Sequence, residues 1–66
     1  MKVYVLIEYN DKPDLQDIGV FTTKQKAKED ILQYYPDLVF KEFGNDTMIY
    51  FTDGEELGEI RELEAV

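Results

Sequence analysis

Apolar and polar positions alternate from the start of the chain. Val3, Val5, Ile7 and Tyr9 share one face at period two, the signature of a strand. Tyr4 and Leu6 make the opposite face apolar as well, which predicts a central strand rather than an edge. Asn10-Asp11-Lys12-Pro13-Asp14 is turn chemistry, because Asn and Asp tolerate turn dihedrals and Pro presets one. Strand character resumes from Leu15 to Phe21 with β-branched Ile18 and Val20, and Gly19 marks a bulge or a close backbone approach. The two runs predict a hairpin.

The period then changes. Thr22 and Gln25 have the T-x-x-Q spacing of a capping box, in which each side chain satisfies a free backbone N–H. Ala27, Ile31, Tyr34 and Tyr35 follow on one helical face, and Pro36 ends the helix. The pattern predicts a helix over residues 23–34. Leu38 to Phe43 and Thr47 to Thr52 read as two more strands around a Gly44-Asn45-Asp46 turn, and Asp53-Gly54 begins another.

Residues 55–66 admit two readings. Leu57, Ile60 and Leu63 have helical spacing, and Asp53 with Glu56 can form a capping box. Gly58 interrupts that helix, and the run from Glu59 to Glu64 can extend as a charged edge strand, the reading favoured here.

The expectation is a single α+β domain over residues 1–66. It has two layers, an antiparallel sheet with one helix packed on one face, ordered ββαβββ, with a short helix as the alternative for the last element. The first strand is expected at the centre with the third beside it, reached by a right-handed crossover. One helix covers one face only. Tyr4, Leu6, Phe21, Phe40, Met48 and Tyr50 are divided between the two sides by register, so apolar sheet surface is left uncovered. Such surface marks interfaces, and a homodimer packed sheet against sheet is expected.

Composition narrows the chemistry. A chain of 66 residues lies near the lower size limit for an unstapled core, and it has no cysteine and no histidine. Fifteen acidic against seven basic residues give a net charge of −8. Direct nucleic-acid binding needs basic surface and is not expected. No apolar run approaches the roughly 18 residues of a membrane span, and the N-terminal run has no signal-peptide form. A cytoplasmic protein is expected.

Carboxylates are the only conspicuous clusters. Asp11, Asp14 and Asp17 flank the first turn, while Asp53, Glu55, Glu56, Glu59, Glu62 and Glu64 fill the C-terminal segment with Arg61 as its only base. These six are the candidate partner-binding residues. The spacing around Asp53-Gly54 lacks the alternating ligands of a calcium loop. Paired carboxylates can hydrolyse glycosides, but only within a sugar-binding cleft for which this domain has little room. The glycines are scattered, so no phosphate loop is present. No catalytic residue, metal or cofactor is expected, and the chain is read as not an enzyme. Lys24, Lys26 and Lys28 oppose the dipole at the helix start and are free to pair with the acidic tail or an acidic partner. Tyr34 and Tyr35 are read as core packing, with one of them at the rim.

Glu8-Tyr9, the Gly19-Val20-Phe21-Thr22-Thr23 run and Lys26-Ala27 together resemble a family of short bacterial and phage proteins of unknown function. That family has a strand–strand–helix unit with a GVF-hydroxyl-hydroxyl pattern. The resemblance spans residues 2–32. It implies the local unit and no substrate or cofactor.

Two functions fit. One is a non-enzymatic, acidic protein-binding module, a homodimeric accessory or regulatory protein of bacterial or phage origin. The alternative is an acidic DNA mimic that inhibits a nuclease or other nucleic-acid-binding protein, its carboxylates imitating phosphates.

Overall fold

A computed structural model describes residues 1–9 and 17–65. The expected turn at Asn10–Asp14 and the strand start at Leu15 lie outside the described residues. The elements are β1 (Lys2–Glu8), β2 (Asp17–Phe21), α1 (Lys24–Leu32), β3 (Leu38–Phe43), β4 (Asp46–Phe51) and β5 (Glu56–Glu64). The strands form one antiparallel sheet in the order β2-β1-β5-β4-β3.

The two-layer ββαβββ architecture expected from the sequence is not what forms. The structure is a single five-stranded antiparallel sheet with one short helix between its second and third strands. At nine residues the helix is about 14 Å long. The sheet is about 20 Å wide between its edge strands. The helix packs mainly on β2, β1 and β5 and meets β3 through Lys24 and Lys28, so it does not make a second layer. The strand neighbours also differ from expectation. β3 is an edge, and the partner of β1 opposite β2 is β5, the expected edge strand, which is central.

β5 is a strand, as favoured from the sequence, and the helical spacing within it has a physical cause. Ile49 pairs with Gly58 and Tyr50 with Glu56, so β5 carries one extra residue, a bulge. The bulge turns both Leu57 and Gly58 to the helix side. It stretches the spacing between core residues Leu57 and Ile60 to three, which imitates a helix. Gly58 is required there, because a Cβ would collide with the Ile7 carbonyl of β1. The edge charges expected of this segment are partnered instead. Tyr4 Oη donates to Glu62 Oε1 at 3.1 Å, and Lys2 Nζ lies 3.7 Å from the same oxygen.

The helix begins one residue later than predicted. Thr23, not Thr22, is the N-cap, its extended backbone presenting Oγ1 to the Lys26 N–H at 3.1 Å. The β3–β4 turn is Gly44-Asn45, with Gly44 at φ 61°, the left-handed first position that suits a type II′ hairpin.

The core lies between helix and sheet. Leu6, Ala27, Ile31, Ile49, Leu57 and Ile60 are buried, and Tyr4, Phe21, Tyr35, Leu38, Phe40 and Phe51 pack around them. Tyr35 meets Phe51 edge-on at 5.5 Å, whereas Tyr34 is exposed. Thr47 is the buried polar residue of this core. Its hydroxyl donates to Glu42 Oε2 at 2.6 Å.

Candidate interaction surface

Strand pairing assigns every side chain to a face. Directly opposed residues in an antiparallel pair point the same way, and neighbours along a strand alternate. Leu6 opposes Ile60 and Gly19, Thr47 opposes Ile60, and Phe40 opposes Ile49, so these residues share the helix side. Val5 with Val20, Ile7 with Ile18, and Val3 with Leu63 therefore lie on the helix-free side. Val39 with Tyr50, and Lys41 with Met48, complete it toward β3. Of the six aromatic and aliphatic residues left open by the sequence, Tyr4, Leu6, Phe21 and Phe40 lie under the helix; Met48 and Tyr50 do not.

The helix-free face is apolar and, in part, wide open. Val20 is 65% exposed, Ile18 63% and Phe43 57%, all on edge strands. β-Branched side chains are there because a pleated strand favours them. No element among the described residues covers them. The sequence carried this signal in its strand alternation, but the residues with the greatest exposure, Ile18, Val20 and Phe43, were not singled out by it.

A polar knot lies within this face. Arg61 Nε donates to Glu59 Oε2 at 3.1 Å. The Tyr9 hydroxyl is hydrogen-bonded to the same carboxylate, and burial followed by that bond pushes its pKa up to about 12. The Glu59 carboxylate holds Arg61 above its ordinary pKa in turn. Beside the knot, Lys41 Nζ stands 5.2 Å from the centre of the Tyr50 ring. Both cations thus sit on partners that leave the surrounding surface apolar.

The six carboxylates proposed from the sequence do not form one surface. Strand alternation and the bulge divide them. Glu56 and Glu59 lie on the helix-free side, and Glu62 and Glu64 on the helix side. Asp53 and Glu55 belong to the β4–β5 turn, where Asp53 Oδ1 accepts the Glu55 N–H at 2.9 Å. Glu64 receives the N-terminal ammonium at 3.2 Å. The helix lysines do not reach this segment. Lys24 and Lys28 converge on Glu42 of β3, at 3.3 and 4.0 Å. The Thr47 hydroxyl, aided by Lys24 and Lys28, holds the Glu42 carboxyl below its ordinary pKa.

Two shallow clefts of about 490 and 440 Å³ open near the end of the helix and share Glu8 and Tyr35 as a wall. Tyr35 Oη donates to Glu8 Oε1 at 3.1 Å. No group of three metal-ligating side chains exists among the described residues. No helix among them is long and apolar enough to cross a membrane.

A family profile described as a domain of unknown function, DUF7336, matches residues 1–65. The chain belongs to the DUF7336 family. The match spans both the strand–strand–helix unit and the β3–β4–β5 half. No curated protein and no solved structure matches this DUF7336 chain.

Proposed function

We propose that this DUF7336 domain is a non-enzymatic protein-binding module, an accessory or regulatory component of bacterial or phage origin, and that its helix-free sheet face is the docking surface. The observation that carries the reading is the contrast in cover. One helix shields one side of the sheet, while Ile18, Val20 and Phe43 stand exposed on the other. Exposed apolar side chains around a small polar centre are characteristic of interaction sites. The absence of cysteine and histidine from the chain agrees with binding rather than catalysis.

Photo-crosslinking tests it. A photoreactive residue placed at Val20 or Phe43 is expected to give covalent protein adducts in the producing cell, and one placed at Gln25 or Glu29 on the outer helix is not. Adducts only from the helix positions would overturn the reading.

A second reading draws on the distribution of charge. Glu8, Glu29, Asp30, Glu42, Glu62 and Glu64 outnumber Lys2, Lys24, Lys26 and Lys28 on the helix side, and Asp37, Asp53 and Glu55 in the turns add to them, an excess of carboxylate able to mimic phosphates toward a basic, nucleic-acid-binding partner. Crosslinks from Glu29 that vanish at high salt would favour this reading over the first.

A further inference from the structure

Resting on the reading of the helix-free face as a docking surface, we infer that its occupant is a second copy of this chain, packed face to face about a two-fold axis running along β5. Three observations lead there.

The first is charge. The chain carries −8, but the helix-free face does not share it evenly. On that face Lys41 and Arg61 nearly balance Asp46, Glu56 and Glu59. A strongly basic partner is drawn instead to the turns, where Asp37, Asp53 and Glu55 stand. A second copy offers the same apolar, nearly balanced surface, and both copies then keep their remaining carboxylates turned outward to water.

The second is shape. Apart from Tyr9 at the end of β1, the β1–β2 half of the face is built from short branched side chains, Val5, Ile7, Ile18 and Val20, with no charge among its described side chains. Apart from Val39, the β4–β3 half projects long ones, Met48, Tyr50, Lys41 and Phe43. β5 divides the halves. A two-fold along β5 sets the low half of each copy under the tall half of the other, and each contact is made twice, as an isologous interface requires. The register makes this specific. Val20 pairs with Val5, and Val5 with Arg61. Phe43 pairs with Asp46, one step from the Thr47–Ile60 pair, and so lies level with Arg61 as well. Val20 and Phe43 are thus at one height on opposite edges, and the axis brings each onto the other.

The third is area. Five strands about 4.8 Å apart, presenting about 20 Å of length, give a footprint of about 500 Å² per copy. Two such faces bury on the order of 1,000 Å² in total, the lower end of specific interfaces. This matches a dimer that forms in the micromolar range and dissociates on dilution.

Analytical ultracentrifugation decides the matter. The intact chain is expected to pass from a 7.8 kDa species to one of twice that mass with rising concentration. Association is expected to tighten with salt, because screening shrinks from about 10 Å at 0.1 M to about 3 Å at 1 M and relieves the repulsion between two −8 chains. Val20→Glu and Phe43→Lys are both at exposed edge positions, so the fold tolerates them, with circular dichroism as the check. Each alone is expected to weaken self-association roughly tenfold. Mixed together they are expected to form a heterodimer through the new Glu–Lys pair. A 7.8 kDa species at every concentration, self-association indifferent to both substitutions, or a mixture with no heterodimer would overturn the inference. If the chain is monomeric while crosslinks from Val20 still capture a different protein, the docking reading stands and only the occupant is wrong. If neither occurs, both fall.

Discussion

The two faces of one sheet are made from the same strands, residue by residue in alternation, yet they solve opposite problems. On the helix side, Ile49, Ile60 and Ala27 are fully buried, and the hydroxyl of Thr47 is satisfied by Glu42. On the other side, equally apolar Val20 and Ile18 remain in water. Hydrophobicity alone therefore does not distinguish core from surface. The difference is whether an element returns to cover the face, and a helix of nine residues can return over only one. The lesson is that the helix-free face is a property of the topology, with apolar side chains that no described element covers.

The sharpest way to break this comparison is to truncate on each face in turn. Ile60→Ala should cost about 3 kcal/mol, the usual loss for an aliphatic side chain cut from a packed core. Val20→Ala should stay within about 0.5 kcal/mol in the dilute monomer. Urea midpoints at low protein concentration compare them, and equal losses would show that the two faces are not energetically distinct.

A smaller effect tests how closely the central strands approach. Gly58→Ala forces a methyl group against the Ile7 carbonyl, and β1 must move away from β5. About 2 kcal/mol is expected, as for other overpacked sites. Gly19→Ala is the control. Its new methyl group meets the Phe21 ring at 2.9 Å, a side chain that can swing aside, and the loss should be clearly smaller. Thermal melts that rank Gly19→Ala as the worse of the two would contradict the bulge geometry.

The smallest effect concerns the polar member of the core. Thr47→Val removes the hydrogen bond to Glu42 and should cost about 1 kcal/mol at neutral pH. Its pH dependence has a definite sign. The Glu42 pKa is lowered, first by the Thr47 hydroxyl. Stability linked to it is therefore fully present above the ordinary glutamate value near 4.3 and is lost as pH falls through the lower folded value. The carboxylate is half exposed, so the amount is modest. Denaturation midpoints collected across the acid range should show a shallower acid limb for Thr47→Val than for the parent chain. Parallel curves would remove Glu42 from the account.

Much of the sheet is written in local pattern. β1 declares itself through alternation, and the β3–β4 hairpin through Gly44 between two strand-forming runs. Strand order is not local. β5 is central because Ile60 is buried between Leu6 and Thr47, and because Tyr4, Lys2 and Tyr9 partner the carboxylates beside it, together with its own Arg61. Apart from Arg61, those partners come from the other end of the chain and are invisible in the segment itself. The bulge disguised the strand further, by giving Leu57 and Ile60 a helical spacing. Thr22 has the T-x-x-Q spacing to Gln25, yet backbone geometry made its neighbour Thr23 the cap. The acidic segment looked like one surface only while it was read as a line. Pleating distributes it over two faces and a turn.

The central position of β5 also governs the order of events when the protein is made. Synthesis delivers the β1–β2 hairpin, the helix and the β3–β4 hairpin before the strand that joins them. Lys2 must wait for Glu64, and Glu8 for Gly58. Until then two hairpins hold open edges beside one another, with no shared core between them. Sheets dominated by such distant pairings fold slowly and in one cooperative step. β5 thus acts as a keystone, and a nascent chain without it lacks Leu57 and Ile60 of the core and the strand that joins the two halves of the sheet.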